Sequence, residues 1–114
     1  MITMYGIPNC DTIKKAKKWL EANGIDYEFH DYKKKSISKV KLKDWCKKAD
    51  WEILLNRRGT TWRKLDEDTK AGINKASAID IMAENTSIIK RPVLETGDDI
   101  LIGFSEDTYK EALK

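Results

Sequence analysis

The sequence of 114 residues contains two cysteines, and only one of them stands where a thiol could be chemically active. Cys10 lies between an apolar run that ends at Gly6 and an amphipathic segment that begins at Asp11. A thiol at the start of a helix faces the positive end of the helix dipole and free backbone N–H groups, which favour the thiolate and bind oxyanions. Cys46 shares a predicted helix with the apolar Trp45, so we interpret it as a packing residue.

The thiol of Cys10 has no partner cysteine close by in the sequence. Ile13 occupies the position three residues later, where a dithiol motif would have its second cysteine. A lone thiol forms a mixed disulfide that an external thiol must resolve, so we expect glutathione as a co-substrate and no bound cofactor. Two cysteines and the single His30 fall short of the four ligands of a structural zinc site, so no metal is expected.

Cationic residues in three places could bind an anion beside this thiol. Lys14 and Lys15 lie one turn into the predicted helix, and two arginines stand adjacent at Arg57–Arg58. The pair could bind an oxyanion through planar guanidinium groups, or could equally be a solvated surface or complement the dipole of a helix end. Arg91 precedes Pro92, and that peptide bond is a candidate for the cis isomer.

Hydrophobic periodicity predicts the elements that position these residues. Residues 2–5 read as a buried strand, residues 11–24 as an amphipathic helix with Ile13, Ala16 and Leu20 on its apolar face, and residues 25–30 as a half-buried strand. The middle of the chain is predicted to be helical. One helix begins at Ser36 or Ser38, a short one covers residues 51–55, and a third covers residues 78–84 with Ser77 as its N-cap.

The last third of the sequence changes period again. Residues 92–95 and 100–102 predict an antiparallel hairpin around a turn at residues 96–99, and Ser105 is predicted to cap a C-terminal helix. The order is β-α-β, a helical insert, then β-β-α. It predicts an α/β, thioredoxin-like fold with a mixed four-stranded sheet. The helical insertion spans approximately residues 36–87 within a single domain of residues 1–114.

Composition and charge exclude several other classes of protein. The 22 basic and 19 acidic side chains give a net charge of +3, too small to indicate a nucleic-acid partner. The eight lysines of residues 33–48 are interpreted as a solvated helix face. No apolar stretch approaches the ~20 residues of a membrane span, and the N-terminus lacks a signal peptide pattern. We therefore expect a cytoplasmic protein that has no membrane partner.

Four motifs in combination are similar to those of one known family. They are YGIPNCDT at residues 5–12, LLNRRGTTWRKL at residues 54–65, IKRP at residues 89–92 and GFS at residues 103–105. Together they resemble the ArsC family of glutaredoxin-linked arsenate reductases and Spx regulators, and in particular its short YffB-type subgroup of glutathione-dependent thiol reductases. The resemblance covers essentially the whole chain and implies the same thioredoxin-like fold.

The resemblance implies roles for individual residues. Cys10 matches the nucleophile, and Arg58 and Arg91 match the arginines that hold a small oxyanion or disulfide substrate, although Arg57 could stand in for Arg58. Pro92 matches the cis-proline. We further predict that Thr12 and Lys14 help to bind the anion, and that Asn9 and Pro92 position glutathione.

The chain is therefore predicted to be a monothiol oxidoreductase that uses Cys10 with glutathione, and glutaredoxin in addition, as reductant. Two alternatives stay open. One is a glutaredoxin-coupled arsenate reductase, which in this family has a third arginine after the hairpin that is missing from residues 101–104 here. The other is a non-enzymatic, Spx-like regulator that binds RNA polymerase, from whose dithiol this chain departs at Ile13.

Overall fold

The computed structural model describes residues 2–113, in which eight α-helices, one 3₁₀-helix and four β-strands form. In chain order these are β1 (Thr3–Gly6), α1 (Asp11–Ala22), β2 (Glu28–Asp31), α2 (Tyr32–Lys35), α3 (Lys39–Lys48), α4 (Trp51–Leu54), α5 (Thr60–Arg63), α6 (Glu67–Ala71), α7 (Lys75–Glu84), a 3₁₀-helix (Thr86–Ile88), β3 (Val93–Glu95), β4 (Ile100–Ile102) and α8 (Glu106–Leu113). They group into two compact units. The first contains the residues up to Lys35 and from Arg91 onward, and the second is Ser36–Lys90.

The first unit is a four-stranded mixed sheet with α1, α2 and α8. The strands lie in the order β2-β1-β3-β4, where β1 pairs with β2 in parallel and with β3 antiparallel, and β3 pairs antiparallel with β4. The predicted hairpin is therefore confirmed as β3 and β4. The predicted N-cap of α8 is confirmed as well, because the backbone N–H of Thr108 donates to the Ser105 hydroxyl. This is the thioredoxin-like α/β arrangement that the order of elements predicts.

One face of this sheet and two helices enclose the core of the first unit. Its fully buried side chains are Met4, Ile13, Ala16, Leu20, Leu94 and Tyr109, from β1, α1, β3 and α8. Ile13, Ala16 and Leu20 are the three residues that periodicity assigned to the apolar face of α1. At the end of β1, a Cβ on Gly6 would collide with the Cδ1 methyl of the buried Ile13. Glycine therefore allows the first turn of α1 to pack against the strand.

The second strand begins three residues later than predicted. Residues 25–30 show the alternation of a strand, but the structure pairs Glu28–Asp31 with β1. The reason lies at the end of α1, where the backbone N–H of Ile25 donates to the Leu20 carbonyl over 2.9 Å. A backbone donor used to end a helix is not available to a strand, so pairing starts only when the N–H of Glu28 reaches the Ile2 carbonyl.

The second unit is helical, and its main contact is between α3 and α7. Of the two serines predicted to begin α3, Ser38 is the N-cap and accepts from the N–H of Lys41. The prediction for α7 is wrong by three residues: Asn74 is the N-cap and Ser77 forms the reciprocal half of a capping box. Serine and asparagine cap equally well, so only the packing of the preceding turn could select Asn74.

The sequence did not predict α2, α5 or α6. Each has only four or five residues, and α5 and α6 contain no buried side chain. Without an apolar face, such helices leave no periodic signal in the sequence. The prediction that all 114 residues form a single domain stays a prediction.

The Asn74 cap gives a direct test of the second unit. Asn74→Ala removes the acceptor for the Ser77 N–H and is expected to lower the free energy of unfolding by about 1 kcal/mol. Asn74→Ser keeps a capping oxygen and serves as the matched control. Urea denaturation followed by circular dichroism measures both. An Asn74→Ala protein as stable as the serine variant would show that the capping box does not stabilise α7.

Candidate active site at the sheet edge

Cys10 lies at the N-terminus of α1, where it is the N-cap residue in an extended conformation. Its side chain makes no capping hydrogen bond, so the thiol does not consume a backbone donor of the first turn. The sulfur-bearing side chain is half-buried and packs against the core of the first unit. The location predicted from the sequence is therefore present, with a free cysteine at the N-cap of a twelve-residue helix.

Polar and cationic residues lie close to Cys10 in the sequence, in the turn before α1 and in the first turn of that helix. Asn9 is exposed in the turn between β1 and α1, and Thr12 is half-buried in the first turn of the helix. Lys14 is exposed and donates its backbone N–H to the Cys10 carbonyl over 3.0 Å, which starts the helical ladder. These residues are positioned by the turn and by α1. Their roles in binding an anion or glutathione stay predictions.

Arg91 and Pro92 lie at the edge of the sheet from which the Cys10 turn departs. In the antiparallel register of β1 and β3, Tyr5 stands opposite Val93. The residues that follow Gly6 and those that precede Val93 therefore leave the sheet on the same side. The Arg91–Pro92 peptide bond is cis, Pro92 is buried, and its carbonyl accepts from the Gly103 N–H over 2.8 Å.

The two adjacent arginines, Arg57 and Arg58, belong to the second compact unit. Arg57 and Arg58 are both exposed, and they line a cavity of about 390 Å³ together with Asn56, Lys90 and three residues at α4, which are Glu52, Ile53 and Leu55. The Arg57 guanidinium lies over the rings of Trp51 and Trp62, 5.9 and 5.4 Å from their centroids. Since Arg57 is held by aromatic rings, Arg58 is the better candidate for an anion.

A polar cluster on the sheet was not anticipated. The Tyr5 hydroxyl donates to a Glu95 carboxylate oxygen over 2.8 Å, and the His30 ring lies 4.7 Å from the Tyr5 ring. Tyr32 follows β2 directly and lies 5.9 Å from His30, ring to ring. No role was predicted for His30. The signal that could have found the cluster is the alternation of β1, β2 and β3, which puts these side chains on one face.

Tyr32 links this cluster to Arg91. It is only 2% exposed, and its hydroxyl has no hydrogen-bond partner among the described residues. Burial raises the pKa of Tyr32 far above its usual value, and the positive charge of Arg91 partly opposes that rise. The Arg91 guanidinium therefore lies within electrostatic range of a buried hydroxyl at the same edge of the sheet as the Cys10 turn.

Cys46 lies on α3 in the second unit, half-buried and free. Burial raises the pKa of its thiol, an effect to which the Asp50 charge adds and which Lys75 opposes. A raised pKa keeps the thiol protonated, and therefore unreactive, to higher pH. This agrees with the packing role inferred from the sequence.

The two thiols are expected to differ in their rates of alkylation. With iodoacetamide near neutral pH, Cys10 should be modified first, because burial raises the pKa of the Cys46 thiol and keeps that thiol protonated. Cys46 should react appreciably only as the pH rises towards its raised pKa. Peptide mass spectrometry at several times and pH values measures both rates. The Cys46→Ser protein is the control, because Cys10 is then the cysteine that remains to be labelled. Faster labelling of Cys46 in the folded protein would contradict the assignment.

The described residues give two further findings on possible ligands and surroundings. Within residues 2–113, no three His, Cys, Asp or Glu side chains come together as a metal site would require. None of the helices in that range combines the length and apolar character of a membrane span.

Comparison with known proteins identifies the relatives of this chain. The profile of the ArsC family matches residues 5–112. A solved structure of a YFFB protein is 48% identical, with all of both chains covered and a TM-score of 0.97. An arsenate reductase (ArsC) related protein from Brucella melitensis is 49% identical, with a TM-score of 0.79 over 99% of this chain and 94% of its own.

A third relative is a transcriptional regulator. The global transcriptional regulator Spx of Streptococcus pyogenes is 27% identical over 99% of this chain and 85% of its own length. An arsenate reductase related protein and a transcriptional regulator are thus both similar to this chain in sequence. On the match over residues 5–112, the chain is a member of the ArsC family.

Proposed function

We propose that the protein is a monothiol oxidoreductase in which Cys10 is the nucleophile and glutathione is the reducing co-substrate. The observation that carries the proposal is the free Cys10 at the N-terminus of α1, with the buried Ile13 where a second thiol would stand. A lone thiol cannot resolve its own mixed disulfide, so the turnover needs an external one. Half-buried Arg91, which precedes β3 at the same edge of the sheet, supports a site for an anionic thiol substrate there.

The proposed reaction is two thiol–disulfide exchanges. The Cys10 thiolate attacks the glutathione sulfur of a mixed disulfide R–S–S–G, so that a new S–S bond forms to Cys10 and R–S⁻ leaves and takes up a proton. A second glutathione, as thiolate, then attacks the glutathionyl sulfur on Cys10. Oxidised glutathione leaves and the Cys10 thiolate is restored. In total, R–S–S–G and one reduced glutathione become R–SH and oxidised glutathione, so the disulfide bond passes from the substrate to glutathione.

The binding residues of this site are proposed from their charge and place. Arg91 is half-buried at the sheet edge and would hold a carboxylate of glutathione, with the first-turn amides, Thr12 and Lys14 as further donors. Asn9 and Pro92 would position the glutathione backbone. Arg58 belongs to the second unit, and its role in binding an anion is proposed from the family pattern and from its exposed position.

A coupled assay tests the proposed activity. The mixed disulfide of mercaptoethanol and glutathione is the substrate, and oxidised glutathione is recycled by glutathione reductase and NADPH, so that absorbance reports turnover. We expect turnover that depends on both the protein and glutathione, and Cys46→Ser should retain it. Turnover no faster than the uncatalysed exchange would contradict the proposal.

Replacing the arginines should weaken glutathione binding more than it slows the chemical step. Arg91→Lys and Arg58→Lys keep the charge but lose the planar fork, so each is expected to raise KM for glutathione about three- to tenfold with little change in kcat. Arg63→Lys, at an exposed position on α5, is the matched control. Unchanged KM together with a large fall in melting temperature would show that these arginines are structural.

A regulatory function is the second candidate, and the Spx relative is the observation that favours it. A regulator of that kind would bind RNA polymerase without turnover. Because residue 13 is isoleucine and carries no thiol, a redox switch between positions 10 and 13 is not available to this chain. Co-purification of a tagged protein with RNA polymerase, combined with no turnover in the coupled assay, would favour the regulator over the enzyme.

A further inference from the structure

The second unit carries a groove between α3 and α7 that the proposed thiol chemistry does not use. It is lined by Lys43, Lys47, Lys75, Ala76 and Ile79, and its volume is about 380 Å³. Two of its lining residues, Ala76 and Ile79, are apolar, and we call them the floor, while the methylene stems of the three lysines add further apolar surface. The volume falls within the ~300–1,000 Å³ typical of ligand sites.

The cations around this groove lack acidic partners. Lys43 and Lys47 lie one turn apart on α3, and Lys75 begins α7. In the part of the chain that the structure describes, none of the three forms an ion pair. The nearby acids are already engaged, since Asp80 pairs with Lys39 over 3.1 Å and Asp44 with Lys48 over 3.2 Å. The groove is therefore an apolar floor with uncompensated positive charge along both rims.

An exposed apolar residue extends the same face of α3. Val40 is 77% exposed and lies three residues before Lys43 and seven before Lys47, the spacings that place residues on one side of a helix. Val40 could therefore add apolar area to a contact made on this side of α3. We define the candidate surface as Val40, Lys43 and Lys47 on α3 with Lys75, Ala76 and Ile79 on α7.

We propose that this surface binds an acidic peptide segment of a partner protein, with an apolar side chain in the groove and carboxylates on either side. Charge complementarity selects the occupant, because lysines on both rims match an apolar residue flanked by Asp or Glu. A small inorganic anion would leave the apolar floor and Val40 unused. The proposal is independent of the chemistry of Cys10.

The probe is a fluorescein-labelled peptide, Glu-Glu-Leu-Phe-Glu-Glu, titrated with the full-length protein and followed by fluorescence anisotropy. The double variant Lys43→Glu with Lys47→Glu should weaken binding about tenfold or more, because attraction becomes repulsion on one rim. Lys18→Glu with Lys34→Glu makes the same change in net charge at exposed positions of the other unit and is the matched control. It should bind nearly as well as the unchanged protein.

The apolar floor is tested separately. Ala76 is exposed in α7, so Ala76→Glu should leave the helix intact while placing a carboxylate on the floor, and it is expected to weaken binding about tenfold. A peptide with alanine in place of Leu-Phe should bind about tenfold more weakly to the unchanged protein. Circular dichroism confirms that each variant is folded.

Several outcomes would overturn the proposal. Equal loss in both double variants, or equal binding of the alanine peptide, would show diffuse attraction rather than a groove. Binding of phosphatidylglycerol vesicles but not of the peptide, lost in the Lys43→Glu, Lys47→Glu protein, would assign the surface to an anionic lipid. Sedimentation that shows a dimer disrupted by Ala76→Glu would assign it to a second copy of the chain.

Discussion

Cys10→Ser is expected to reduce turnover in the glutathione-coupled assay to the uncatalysed rate, a loss of about three powers of ten or more. A serine hydroxyl cannot form the S–S bond through which both exchanges pass, and it is not ionised near neutral pH. The fold should be retained, because the Cys10 side chain makes no capping hydrogen bond and is only half-buried.

The matched control is Cys46→Ser, which removes the other free thiol. It should leave turnover within about twofold of the unchanged protein, because burial keeps the Cys46 thiol protonated. Loss of turnover in this control, with turnover retained in Cys10→Ser, would transfer the chemistry to α3 and refute the assignment.

Arsenate is expected to be a poor substrate, reduced about one to two powers of ten more slowly than by a site with one more arginine. A doubly charged oxyanion beside a thiolate is costly in a partly desolvated site, and arginines offset that cost through charge-assisted hydrogen bonds of ~1.5–3 kcal/mol each. Arg58 and Arg91 match two such residues of the family pattern. No arginine follows the hairpin here, where Gly103 and Phe104 stand.

Adding the missing charge tests this expectation. Gly103 has a φ of +78°, which an arginine would adopt only with strain, and Phe104 packs on Tyr109 at 4.9 Å between ring centroids. The half-buried Ile102, opposite Val93 at the end of β4, is the better position. Ile102→Arg should raise arsenate reduction in an assay with glutathione and glutaredoxin, and Ile102→Gln should not. Efficient reduction by the unchanged protein, with no gain from Ile102→Arg, would contradict the argument.

Much of the first unit could be predicted because its elements have strong periods. The spacing of Ile13, Ala16 and Leu20 identifies the buried face of α1, and the turn at residues 96–99 identifies the hairpin. The start of β2 could not be read from alternation alone, since the Ile25 N–H ends α1 before pairing begins. Short helices such as α5 and α6 bury nothing and so leave no pattern.

The candidate site was predicted only in part. The sequence indicates Cys10 and the Arg91–Pro92 pair, but the register of Tyr5 opposite Val93 is what places both at one edge of the sheet. The buried hydroxyl of Tyr32 near Arg91 could not be foreseen, because it depends on which face of β2 and which turn of α2 meet that edge.

The central claim is that a glutathione becomes attached to Cys10 during turnover, and mass spectrometry tests it most directly. The protein is mixed with oxidised glutathione, quenched with acid and digested, and the peptides containing each cysteine are weighed. The account predicts the mass of one glutathione on the Cys10 peptide, removed by added reduced glutathione, with the Cys46 peptide unmodified. An adduct on Cys46, or no adduct on Cys10 under conditions of turnover, would contradict it.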